Sequence, residues 1–209
     1  MIKVIGILGD IGSGKSFVAR QFGYPVFNAD KEVNKIYKNN KSCFKKLRNK
    51  LPKHIKSYPI NKSELTKAIL SNKYNLKKIV SIVHPLVRKK MNLFLSKNSN
   101  KKLVVLDIPL LIENNLNAKK DILVFVDSKK SQINSRLKKR KNYNKKILEN
   151  LRKLQKKLSY KKKLSTYTIK NDFKLLTIKK RVKFIKDQIL YERNSSRYWN
   201  NRSFGKRWT

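Results

Sequence analysis

Residues 9 to 16 read Gly9-Asp10-Ile11-Gly12-Ser13-Gly14-Lys15-Ser16, the pattern G-x-x-x-x-G-K-S. No other stretch restricts the fold so tightly. Such a loop grips an anion only if a buried strand delivers it and a helix leaves it, because backbone N–H groups must turn inward at a helix N-terminus. Ile2 to Leu8, apolar except for Lys3, predicts the buried strand. Phe17 to Phe22 predicts the short helix, with Gly23 as its C-cap. Gly12, Ser13, Gly14, Lys15 and Ser16, with Phe17 beside them, are therefore candidate contacts to a nucleoside triphosphate such as ATP. Lys15 can reach the β- and γ-phosphates, and the Ser16 hydroxyl can hold Mg²⁺. The plain alternative is a glycine-rich surface turn.

Four more segments read as buried strands: Pro25–Asn28, Leu103–Asp107, Ile122–Val126 and Tyr167–Lys170. Helical patterns lie between them, so the expected fold is α/β, a five-stranded parallel sheet flanked by helices. The expected core is residues 1–30, 101–127 and 165–190 of one domain spanning 1–190. Residues 31–100 are too long for one crossover and are broken by Pro52, Pro59 and Pro85, which predicts a helical insertion. Residues 128–164 predict a basic helical lid. There Gln132, Arg136 and Arg140 recur every four residues on one helix face, and Ile147, Leu151, Leu154 and Leu158 form an apolar stripe beside Arg152 and Gln155. Ile178, Val182, Ile185 and Ile189 predict a last amphipathic helix. From 191 the chain becomes a basic aromatic tail holding both tryptophans, readable as a partner contact or as a loosely docked terminus.

The 54 Lys and Arg against 12 Asp and Glu give a net charge of +42. That suggests nucleic acid. But lysine dominates, is spread over the whole chain and keeps company with abundant Asn and Ile, as AT-rich codons produce. Compositional bias is the preferred reading, and no specific nucleic acid is expected. Cys43 stands alone, which excludes an intrachain disulfide and fits a reducing, cytoplasmic setting. No apolar run approaches the ~18 residues of a membrane span.

Two carboxylates point to phosphoryl transfer. Asp30 follows the second strand, and in parallel sheets binding sites lie at the carboxyl ends of strands. There it can orient or accept the proton of an attacking hydroxyl, or it can be a helix N-cap. Asp107 ends the third strand, where it can help hold Mg²⁺ or simply terminate the strand.

These residues resemble the dephospho-coenzyme A kinases over roughly residues 1 to 190. The loop is similar to that family's G-G-I-G-S-G-K-S, with Asp10 in place of the second glycine. Val26-Phe27-Asn28-Ala29-Asp30 resembles V-I-D-A-D, with Asn28 for the first aspartate. His84-Pro85-Leu86-Val87-Arg88 resembles H-P-x-V-R, and Asp107-Ile108-Pro109-Leu110-Leu111-Ile112-Glu113 resembles D-x-P-L-L-x-E. Gln132, Arg136, Arg140, Arg152 and Gln155 match the lid, and Thr168-Ile169-Lys170-Asn171 the strand end near the adenine. Lys141 replaces an aspartate, Ser165-Thr166 stands for Ala-Asp, and Asp172-Phe173 lacks the usual glycine. The resemblance implies ATP-dependent phosphorylation of the ribose 3′-hydroxyl of dephospho-coenzyme A, with Mg²⁺. It implies Asp30, Lys15 and Arg140 in catalysis, Arg140, Arg152 and Asn171 on ATP, and Asp30, His84, Arg88, Pro109, Leu110 and Glu113 on the acceptor. The partners expected are these two substrates, for a monomer or weak homo-oligomer. The rival readings are a nucleic-acid-binding P-loop NTPase and a nucleoside monophosphate kinase.

Overall fold

The computed structural model describes residues 2–140 and 143–195. Within them the chain runs β1 (Lys3–Gly9), α1 (Lys15–Gln21), β2 (Val26–Asn28), α2 (Ala29–Asn39), α3 (Lys41–Lys50), α4 (Lys62–Ser71), α5 (Lys73–Lys97), β3 (Leu103–Asp107), β4 (Ile122–Asp127), α6 (Lys130–Lys138), α7 (Lys145–Lys153), α8 (Leu158–Leu164), β5 (Tyr167–Lys170) and α9 (Leu175–Ser195).

All five strands are parallel, in the order β2-β3-β1-β4-β5. A parallel sheet needs helical crossovers on its faces, so its strands are apolar on both sides. Val4, Leu8, Val104 and Leu106 face one layer, and Ile5, Ile7, Val105, Val124 and Val126 the other. The second layer is α1 and α9, with Val18, Phe22, Ile178, Val182, Ile185 and Ile189 buried. The first layer is the expected insertion. Ile36, Cys43, Leu47, Leu65, Ala68, Ile79, Val83, Val87 and Met91 from α2 to α5 share one core with the sheet, so the insertion is continuous with the core.

Pro85 does not break a helix as its sequence position predicts. It sits inside the 25-residue α5. An interior proline costs roughly 3 kcal/mol through the lost hydrogen bond and the clash with the preceding turn. Ile79, Val83, Val87 and Met91, four residues apart and all buried, anchor the helix on both sides of it, and that burial outweighs the cost. The abundant asparagine also has structural work. Asn28, Asn40, Asn61, Asn72 and Asn144 each cap a helix, accepting a backbone N–H on the side-chain oxygen.

The segment 128–164, expected as a lid of two helices, forms three short ones, α6, α7 and α8. The 147–158 stripe breaks after Leu154, and Leu158 opens α8. α6 stops at Lys138, so Arg140 lies in the turn beyond it and off the helix face shared by Gln132 and Arg136. The last helix runs past the expected tail boundary at 191 to Ser195. The remaining tail and Lys141 lie outside the described residues. Among the described residues no helix is long and apolar enough to cross a membrane.

Candidate active site

β1 is the central strand, paired with β3 on one side and β4 on the other, and the phosphate loop follows its carboxyl end. Gly12 and Gly14 have φ of +86° and +87°, the left-handed region that a side chain resists. A Cβ on Gly12 would lie 2.9 Å from Leu137 Cγ, so α6 packs directly on the loop. Gly14 is the N-cap of α1, which aims the first N–H groups of the helix at the mouth of the loop. Asn171 donates to the Ser13 carbonyl at 2.8 Å, and the Ser128 hydroxyl donates to the same oxygen at 2.9 Å. The Ser13 hydroxyl is buried and has no partner. Phe17 packs against the α1–α9 core layer.

Lys15 is 9% exposed. Its ammonium donates to the Asp10 carbonyl at 2.7 Å and the Gly9 carbonyl at 3.2 Å. Burial pulls its pKa down to about 8. Asp107, Asp10 and Asp30 oppose that shift and Lys161 adds to it. Asp107 is buried at the end of β3, in register with Asn28 of β2. The Asn28 amide donates to the Asp107 carboxylate, while its oxygen caps α2 by accepting from Lys31 N at 2.8 Å. Only an amide makes both contacts, and an aspartate there would face a second carboxylate. Asn28 is thus the cap of α2, and Asp30 stands in its first turn without that duty.

Asp30 is exposed at the cleft. Desolvation by the surrounding walls, then the Asp107 carboxylate, push its pKa above the ordinary carboxylate range, with Lys15, Arg140 and Lys62 pulling it back. Arg140 therefore lies within electrostatic reach of Asp30. Arg152, in the last turn of α7, pairs with Asp10 at 3.2 Å.

Glu113 is tied to the lid. Its Oε1 takes Lys161 at 2.6 Å and the Lys156 N–H at 3.0 Å, with both partners of the ion pair buried, and its Oε2 is buried and unpartnered. His84 and Arg88 share a face of α5. Arg88 donates to the Asn114 carbonyl at 3.2 Å. Desolvation and then Arg88 lower the His84 pKa, against a hydrogen bond to the Asn114 side chain. His84 lines two cavities, an open groove of about 680 Å³ with Arg88, Asn92 and Leu93, and one of about 150 Å³ with Leu76, Val80, Leu110, Glu113 and Leu154. Pro109 precedes Leu110 in the turn after β3. Loop residues line neither cavity. Asp10 and Ser13 line separate ones under the lid.

Three contacts were not anticipated from the sequence. Lys161 is buried in α8 against Glu113, and a buried lysine requires an acid. Arg136 stacks over the Phe173 ring at 4.2 Å, and Phe173 holds φ +64° with its N–H on Asn171 Oδ1. Asp10 pairs with Arg152, as above.

A parallel 2-3-1-4-5 sheet with this loop between its first strand and α1, and helices packed on both faces, defines a P-loop kinase. The chain belongs to the dephospho-CoA kinase family, whose model matches residues 3–176. It is 32% identical over 191 residues to the dephospho-CoA kinase of Wolbachia sp. subsp. Brugia malayi (strain TRS), covering 89% of this chain and 97% of that one. The crystal structure of TT1252 from Thermus thermophilus is 26% identical, with a TM-score of 0.71 over 90% of this chain and 97% of that chain. A dephospho-CoA kinase structure from Campylobacter jejuni, 20% identical with a TM-score of 0.60 over 90% and 97%, shares the fold.

Proposed function

We propose that this chain transfers the γ-phosphate of ATP to the ribose 3′-hydroxyl of dephospho-coenzyme A, yielding coenzyme A and ADP. The observation that carries this reading is Lys15 of the phosphate loop within electrostatic reach of the Asp107 and Asp30 carboxylates, with Arg140 reaching Asp30 as well; His84 and Arg88 line a separate groove on α5 that we assign to the acceptor. Family membership supports it.

Backbone N–H groups of residues 12–16 hold the polyphosphate, and Lys15 moves from the loop carbonyls to it. Asp30 orients the acceptor hydroxyl and takes its proton as the bond to phosphorus forms. Arg140 and Arg152 offset charge spreading onto the transferring group and cover it against water. Asn171 shapes the loop by holding the Ser13 carbonyl. His84, Arg88, Pro109 and Leu110 receive the acceptor, and Glu113 joins that wall to the lid. A hydroxyl and a carboxylate are the hard oxygen donors Mg²⁺ prefers, and the ion keeps most of its other ligands as water and phosphate. Ser16 and Asp107 would hold it, and when bound it supplies charge neutralisation for the phosphates. A single chain supplies every group named, which fits a monomer or weak homo-oligomer, and a lone thiol suits the cytoplasm.

The test is ADP release by the full chain with dephospho-coenzyme A, nucleoside monophosphates or RNA offered in turn, with the phosphorylated position mapped by NMR. Turnover only with dephospho-coenzyme A, at the 3′-oxygen, is expected. Turnover only with a monophosphate or RNA overturns the proposal.

A further inference from the structure

We infer that Asp10 is a positioning residue: its carboxylate holds the lid arginine Arg152 over the phosphate loop, and nucleotide phosphate competes with it for that guanidinium. The inference rests on the reading of Arg152 as a nucleotide-facing cation.

In a loop that gathers N–H groups and a lysine around an anion, a carboxylate repels the ligand by like charge, although Asp10 also helps keep Lys15 charged. Asp10 is nonetheless built in. Its Oδ1 accepts the Ile11 N–H at 2.6 Å, its Oδ2 takes Arg152 Nη2 at 3.2 Å, and its side chain is 13% exposed. It is the one acid lining a cavity of about 380 Å³ that also presents Lys130, Arg152, Lys156 and Lys157. The charge has a partner, and the partner is on the lid.

The lid's other attachments show why a latch matters there. Glu113 fixes the far end of this segment through the Lys156 N–H and the buried Lys161 ammonium. Helix α7, by contrast, buries none of its nine residues fully. Its Arg152 end is held beside the loop by Asp10. A polyphosphate offers the guanidinium more negative charge and more acceptor oxygens than one carboxylate, so it can take Arg152 over. Asp10 thus keeps the arginine within reach of the loop and weakens nucleotide affinity in doing so.

The experiment compares wild type with Asp10→Asn, which keeps an oxygen for the Ile11 N–H, Asp10→Gly, Arg152→Ala and the Asp10→Asn/Arg152→Ala double variant. ATP affinity is read by calorimetry on the full chain, and trypsin cleavage between residues 139 and 157 is read with and without ATP. Asp10→Asn is expected to tighten ATP by roughly two- to fivefold, the scale of a partly exposed ion pair. It should also speed cleavage at least threefold without ATP, with the difference gone at saturating ATP. In the Arg152→Ala background the gain in ATP affinity should fall below 1.5-fold. Asp10→Gly should follow Asp10→Asn if the charge is what matters. Unchanged or weaker ATP binding in both Asp10 variants overturns the inference. So does a full gain that persists without Arg152, since the carboxylate would then act on the phosphates directly. A wild-type chain that fails to bind ATP or to phosphorylate dephospho-coenzyme A sinks the proposed function instead, whatever the Asp10 variants do.

Discussion

ATP binding should take up protons above neutral pH, and Lys15 is the reason. Burial sets its pKa at about 8, more than two units below the ordinary 10.5. Contact with a polyphosphate restores the charged form, because an opposite charge favours it. At pH 8 about half of the unliganded chains carry an uncharged Lys15, so binding takes up about 0.5 proton, and at pH 9 about 0.9. Affinity should fall by roughly fivefold from pH 8 to 9, since the charged fraction drops from about one half to one tenth. Calorimetric titration in buffers of different ionisation enthalpy counts these protons. ATP's own last phosphate ionisation, near ~6, is complete in that range. Lys15→Arg keeps the charge at every pH and should abolish the uptake. Uptake below about 0.2 proton at pH 8.5 in wild type would show that Lys15 is already charged, or that it does not meet the phosphates. The sign for stability follows from the same group. Below about pH 8 the folded and unfolded chains both hold the proton and the burial cost is fully present. Between 8 and 10.5 only the unfolded chain holds it, so stability rises with pH through that window.

Asp30→Asn should lower kcat by roughly 10²- to 10⁴-fold while leaving the ATP dissociation constant within about twofold; a rate near wild type removes Asp30 from the base role. Because burial and Asp107 raise the Asp30 pKa, the acid limb of wild-type kcat/KM should lie above the ordinary carboxylate range, the rate falling as pH drops through it. Lys161→Met leaves Glu113 buried without a cation and should destabilise the fold by about 3–5 kcal/mol in urea unfolding, with Lys161→Met/Glu113→Leu recovering most of the loss. Gly12→Ala at φ +86°, with Leu137 in the way, should cost roughly 1–3 kcal/mol and weaken ATP binding measured on the same samples.

Strands β2, β3 and β4 were legible as short apolar runs ended by a polar residue, and the ends of β2 and β3 pointed to Asp30 just beyond one and Asp107 at the other. What stayed hidden was where local pattern and tertiary packing disagree. Pro85 reads locally as a breaker, and only the buried stripe on both sides of it explains a continuous helix. Asn28 reads as a lost carboxylate. The structure makes it a cap and a donor to Asp107, a role that depends on the register of β2 against β3. Lys161 could not be picked out among Lys161, Lys162 and Lys163, because burial is decided by a glutamate 48 positions upstream. The high asparagine content looked like codon drift, yet five of those residues cap helices, so biased supply and local need coincide.

The contact of α6 with Gly12 has a mechanical consequence. Ile133 and Leu137 rest on a residue that has no side chain, so a helix leading into the lid and the backbone that grips phosphate meet at one bearing surface. A side chain at position 12 would have to push α6, and Arg136 with it, off the loop. The missing methyl at position 12 is therefore the clearance that lets α6 seat on the backbone that grips phosphate.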